Sequence, residues 1–240
     1  MIAGEERDPS TRRAEFFCLD RYTGNVQWSG RSFVDDWWVG IDAVWHGTMF
    51  LHGFRVPDMP WHKGILAVDV PSGKVMWENT QLTFAGVRDE LLIAYEGHPG
   101  QERFVILDPV NGREVERSEA NITGAPVSLH PAGALFPETR EMSGSDIPLP
   151  GNTTGSIESI GVDGYGIVSF LTPESHSGEE NPLFRQHLVV ARVADGESLY
   201  SDVMTKRSSG FLRDAFFVQE GFVYYLKEGM TLNALHLSSI

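Results

Sequence analysis

The chain of 240 residues has one cysteine, Cys18, so no intrachain disulfide can form. Its place in the apolar run FFCL predicts a buried core thiol, since a nucleophilic cysteine needs an exposed, electropositive setting. Basic residues are few: 19 Lys and Arg against 33 Asp and Glu give a net charge of −14. That balance argues against nucleic acid, whose phosphates need clustered cations, and against an anionic membrane surface. Long apolar runs are missing too, and no stretch approaches the roughly 20 residues of a membrane-spanning helix. The opening MIAGEERDPSTRR has no apolar signal region. The expectation is a soluble, cytoplasmic protein, or an exported one if a leader precedes this sequence. No GxSxG nucleophile elbow, GxxxxGK phosphate loop or GxGxxG turn appears. Nothing sustains a helical period, and the charged opening segment is read as one helical turn at most.

The residues that are present describe an ordinary globular interior, with 41% hydrophobic and 22% charged residues. Six Trp and fourteen Phe favour pleated, half-buried surfaces. The decisive pattern is a repeat. FFCLDRYTGNVQWS (16–29), ILAVDVPSGKVMWEN (65–79) and FVILDPVNGREVERS (104–118) each place an Asp four residues before a Gly. LVVARVADGESLYSD (188–202) keeps Gly196 but has Arg192 in the Asp slot, and NTTGSIES keeps only Thr154-Gly155. The turn glycines at 24, 73, 112, 155 and 196 are thus 49, 39, 43 and 41 residues apart.

A second hairpin type lies upstream of most of these, at 42–53, 84–97, 127–136, 159–170 and 214–226. Two hairpins make a four-stranded unit of about 43 residues, the size of a propeller blade. A β-sandwich also has regular turns, but no reason to repeat one turn chemistry every fourth strand. The fold expected is therefore an all-β, five-bladed propeller in one domain, residues 1–240. The opening hairpin would complete the sheet begun by residues 214–226 and so remove an exposed edge. TLNALHL near the C-terminus is a surplus strand with His236 in the Asp slot, which leaves six blades as the alternative.

The repeat resembles the quinoprotein-type, Trp-docking propeller repeat: an apolar strand into Leu-Asp, then Thr-Gly, then a strand ending in Trp. Leu19-Asp20, Thr23-Gly24 and Trp28 match it, as do Val68-Asp69, Ser72-Gly73 and Trp77; Leu107-Asp108 and Asn111-Gly112 match more loosely. The resemblance implies that each Trp docks between neighbouring blades. The whole chain is similar to small bacterial members of that superfamily, and this resemblance implies no activity. Quinone-dependent dehydrogenases of the group use an adjacent cysteine pair, which a single Cys18 cannot supply.

Candidate site residues are sparse. Asp42, Glu158 and Asp214 precede or open inner hairpins at similar places and, as a ring, would suit a hard cation with oxygen ligands. In VDDWWVG, Asp35 and Asp36 beside Trp37 and Trp38 would suit a sugar or a cationic ligand through stacking and hydrogen bonds. His46, His52 and His62 are the closest histidines, but no HxH or CxxC spacing occurs, so no histidine metal site and no cofactor are expected. The segment 137–155 is long and reads as a lid or partner-binding flap, and 173–182 is a second, acidic insertion in the same half of the ring. Sequons occur at Asn121 and Asn152. The function expected is a non-catalytic scaffold binding a protein or a small ligand. The alternative is a hydrolase or lyase acting on a carbohydrate or other small substrate through channel-facing carboxylates.

Overall fold

The computed structural model describes residues 1–33, 35–54, 61–88, 90–97, 101–118, 134–142, 145, 147–174 and 182–240. No α-helix occurs among the described residues, and hence none able to cross a membrane. The chain divides into two compact units, Met1–Ala132 and Gly133–Ile240.

In the first unit, β1 (Ile2–Asp8), β2 (Arg13–Leu19) and β3 (Val26–Arg31) form a three-stranded antiparallel sheet. Next come two antiparallel meanders. One is β4 (Val39–Trp45), β5 (Thr48–Phe54), β6 (His62–Asp69) and β7 (Lys74–Asn79); the other is β8 (Thr83–Arg88), β9 (Leu91–Glu96), β10 (Arg103–Leu107) and β11 (Glu114–Ser118). A single parallel pair, Gly64 with Thr83, joins the meanders. Alternation places Ala14, Phe16 and Cys18 of β2 inside, packed on Met49, Leu51 and Val68. Phe50, Ile65 and Ala67 pack on Leu92, Ala94 and Leu107 of the second meander. Cys18 is fully buried, as its apolar run predicts, and burial pushes its thiol pKa up.

In the second unit, β12 (Ala134–Leu135), β18 (Phe216–Gln219), β19 (Phe222–Lys227) and β20 (Thr231–His236) form one sheet. The other is β13 (Glu138–Arg140), β14 (Thr154–Val162), β15 (Tyr165–Pro173), β16 (Phe184–Arg192) and β17 (Ser198–Ser208). Ile167, Leu188 and Val190 meet Phe216, Val218 and Val223 in this unit's core.

Two turn chemistries recur. The hairpins β4–β5, β14–β15 and β18–β19 turn on His46-Gly47, Asp163-Gly164 and Glu220-Gly221, every one of these residues at positive φ. Two consecutive left-handed residues make the type I′ turn, whose twist matches that of the strands. The second kind is the Asp-x-x-x-Gly turn. Asp20 accepts the Tyr22 and Thr23 amides at 3.0 and 2.9 Å, and the Gly24 amide donates back to the Asp20 carbonyl at 2.8 Å. The same backbone bond closes the turns at Gly73, Gly112 and Gly196. Where Arg192 replaces Asp, its guanidinium binds Asp195 and Glu197 of the turn, each at 2.7 Å.

The indole of each matching repeat lies on the next turn glycine. Trp28 donates to the Val70 carbonyl at 2.7 Å, and a Cβ on Gly73 would stand 2.8 Å from its ring. Trp77 donates to the Pro109 carbonyl at 2.9 Å, and a Cβ on Gly112 would stand 2.6 Å from its ring.

Three expectations change. Gly155 closes no hairpin; it lies within β14 beside a register shift between Thr154 and Glu158. The charged opening segment is strand β1 and not a helical turn: its seven residues pair in register with β2, and its polarity is that of an exposed edge. The opening hairpin sits in the sheet with β1, while residues 216–236 form their sheet with β12, so the terminal hairpins belong to separate sheets. TLNALHL is β20, the strand beside β19. Of the hairpin 127–136, residues 127–133 lie outside the described residues, as do Asn121 and 175–181 of the second insertion.

Alanine at two turn glycines separates backbone strain from indole docking. Gly24 (φ 70°) has nothing within 4 Å of a Cβ, so Gly24→Ala is expected to cost about 1–2 kcal/mol from left-handed strain. Gly112→Ala adds the collision with Trp77 and is expected to cost about 1–3 kcal/mol more. Equal losses in urea denaturation would show that the indole contact contributes nothing.

Candidate functional site

The strand pair β4–β5 carries a register shift between Ile41 and Ala43, with Asp42 as the extra residue. The pair β5–β6 shifts between Leu51 and Gly53, where His52 stands against two residues of β6, Gly64 and Ile65. Bulges re-aim side chains, and the β4–β5 bulge sets Gly40 opposite His52 and brings Asp42 onto the same side. His62 opens β6 directly opposite Phe54. The result is a cluster: Nδ1 of His52 and Nδ1 of His62 lie 2.9 and 3.1 Å from the same oxygen, Oδ1 of Asp42. The imidazoles stack with centroids 3.4 Å apart and planes 8° from parallel.

The Asp42 side chain is 8% exposed and that of His52 6%, whereas that of His62 is 38% exposed. Oδ2 of Asp42 is buried with no partner among the described residues. Burial alone would raise the Asp42 pKa, but hydrogen bonds from His52 and His62 outweigh it and hold the carboxyl below its ordinary value. Gly40 makes room for His52, since a Cβ there would lie 3.0 Å from the imidazole Cε1. Phe54 presents T-shaped contacts to both rings at 5.0 and 5.3 Å, and Trp38 packs on Phe54 at 5.7 Å. A cavity of about 300 Å³ shares Phe54 and is lined also by Gly53, Lys63, Gly64 and Glu78, with none of Asp42, His52 and His62 in its wall.

The remaining sequence candidates are placed differently. Asp35 is a turn residue whose Oδ1 accepts the Trp37 and Trp38 amides, each at 2.8 Å; Asp36 is exposed. The indole faces already hold the chain's own cations: Arg7 lies 5.4 Å over Trp37 and Arg12 5.8 Å over Trp38. A cationic ligand stacking on those same faces would have to displace an arginine. Glu158 and Asp214 meet in the second unit, where the Asp214 amide donates to both Glu158 oxygens at 3.1 and 3.2 Å. His46 lies outside the cluster: it stacks on Trp45 and faces Glu90 at 3.8 Å. Sequence reasoning considered Asp42 and the histidines apart. The signal that joins them is the hairpin register, which pairs Gly40 with His52 and brings Asp42 within reach.

A second polar group escaped notice altogether. Asp202 accepts the Lys227 ammonium at 2.8 Å and the Tyr225 hydroxyl at 2.7 Å, and Tyr200 meets Tyr225 at 2.6 Å. Its acid and base satisfy each other, and the network ties β17 of one sheet to β19 of the other.

A family model described as a domain of unknown function (DUF4905) matches residues 1–77. That span contains Asp42, His52 and His62. No curated protein matches the chain.

Glu158 gives a pH-dependent test of the second unit. Burial raises its carboxyl above the ordinary 4.5, and the nearby Asp214 charge adds to the rise against the pull of the Asp214 amide and Arg213. A carboxyl with a raised folded-state pKa contributes stability below its unfolded value and loses it as pH climbs through the folded value. Glu158→Gln should therefore melt higher than the parent near pH 7, with the advantage shrinking as pH falls toward 4.5. An advantage that is constant with pH would refute the account.

Proposed function

We propose that the protein is a non-catalytic binding scaffold whose working centre is the Asp42–His52–His62 cluster. One observation carries this reading: a carboxylate more than nine-tenths buried receives two imidazoles on one oxygen and leaves the other without a partner. Leaving such an atom unsatisfied costs about 1–3 kcal/mol, so a site that keeps one is suited to a ligand that completes it. Phe54 and Trp38 supply an apolar wall, the usual setting for a few placed polar groups.

We further propose that the scaffold is a five-bladed propeller of the quinoprotein-like group. Five antiparallel groups of three to five strands supply the sheets such a ring needs. Indole-on-glycine docking at Trp28–Gly73 and Trp77–Gly112 is the contact that the repeat resemblance leads one to look for.

The test is a melting-temperature panel on the full chain with zinc, calcium and magnesium chlorides and with neutral mono- and disaccharides, run on the parent and on Asp42→Asn. At a probe concentration of one hundred times Kd, a ligand specific for the folded state adds about 2.7 kcal/mol. For a chain of this size that is a rise of about 5–10 °C. A rise with at least one probe that is lost in Asp42→Asn supports the centre. No rise with any probe, or an equal rise in the variant, overturns it.

A further inference from the structure

We propose that Asp42, His52 and His62 bind a divalent transition metal of the zinc class, a step that rests on the cluster being the working centre. The three donor atoms all lie within 4.8 Å of one another. A tetrahedral ion with ligands at about 2.0–2.2 Å holds its donors about 3.3–3.5 Å apart. The two nitrogen–oxygen separations, 2.9 and 3.1 Å, need only a few tenths of an ångström of expansion to admit it. Two imidazole nitrogens with one carboxylate is a donor set that favours zinc, cobalt or nickel over calcium and magnesium, which take oxygen.

The same geometry says how the ion enters. A metal lies close to the plane of each imidazole that ligates it, and parallel rings 3.4 Å apart cannot both contain one point. One ring has to turn. His52 is buried, with its ring against the bare Cα of Gly40, and stays in place. His62 is on the open side and is the ring that swings. The ion then sits on the buried carboxylate and His52, is closed in by His62, and keeps its fourth position toward solvent. Three protein ligands with one open position is the arrangement that leaves a metal able to take a further ligand. The metal also supplies the positive charge that the buried carboxylate, with its unpartnered Oδ2, is placed to receive. Phe54 packs in T-shaped contact with both rings and gives the site an apolar wall, beside which a charge pair attracts more strongly than in water.

The experiment uses the full chain, stripped with a chelator and dialysed against zinc, with bound metal counted. Cobalt is then substituted so that its visible absorption reports coordination geometry. One equivalent of zinc per chain and the intense absorption of four-coordinate cobalt are expected for the parent and for His46→Ala, whose histidine lies outside the cluster. His62→Ala, a half-exposed substitution that leaves the core intact, should weaken zinc by about 100-fold or more and abolish the intense cobalt bands. No zinc binding by the parent, or equal binding by His62→Ala, overturns the metal site. If zinc fails while another probe still raises the melting temperature through Asp42, the metal falls and the binding centre stands. If every probe fails, both fall.

Discussion

An indole packed on the turn of the next repeat requires that turn to have no side chain, and the Asp-x-x-x-Gly turn itself requires its glycine to run left-handed. Glycine meets both conditions, and at Gly73 and Gly112 both are in force together. The contact fixes the last strand of one meander against the last hairpin of the next, because the indole N–H also donates to the carbonyl three residues before each glycine. The spacing between sheets in the first unit follows from it. So does the closeness of the two buried clusters on either side of the β4–β7 meander. In the second unit, Gly196 keeps the left-handed turn but meets Pro148 where the other turns meet an indole.

Much of the fold was legible because its turns are chemically explicit. Asp20, Asp69 and Asp108 announce their turns through side-chain bonds to the following residues, and His46-Gly47 and Glu220-Gly221 mark hairpins by left-handed pairs. Strand β1 was not legible. An edge strand with one partner needs no apolar face of its own, so IAGEERD carries none of the alternation that exposes a strand in sequence. Gly155 misled for the opposite reason, since a glycine at the right interval is also what a bulge requires.

The candidate site was legible only in its parts. Asp42 and the three neighbouring histidines could be picked out by type, but which of them meet depends on two bulges that move Asp42 and His52 out of simple register. A regular hairpin count would set them on unrelated positions. Trp37 and Trp38, by contrast, looked like an open stacking surface because the sequence does not show that Arg7 and Arg12 already cover them. Covering contacts between residues thirty positions apart leave no local mark.

Strand β1 has a consequence for how the molecule behaves among its own copies. Beneath it runs β2, whose Ala14, Phe16 and Cys18 are wholly buried and whose other side is taken by β3. Without β1, that apolar strand would offer a row of unpaired amides and carbonyls to any extended chain, the template from which intermolecular sheets grow. Glu5, Glu6, Arg7 and Asp8 put four charges in succession along the outer strand instead. Four charged residues in a seven-residue strand thus stand guard over a hydrophobic one, and resistance to aggregation at this edge depends on their charge as much as on the strand's pairing.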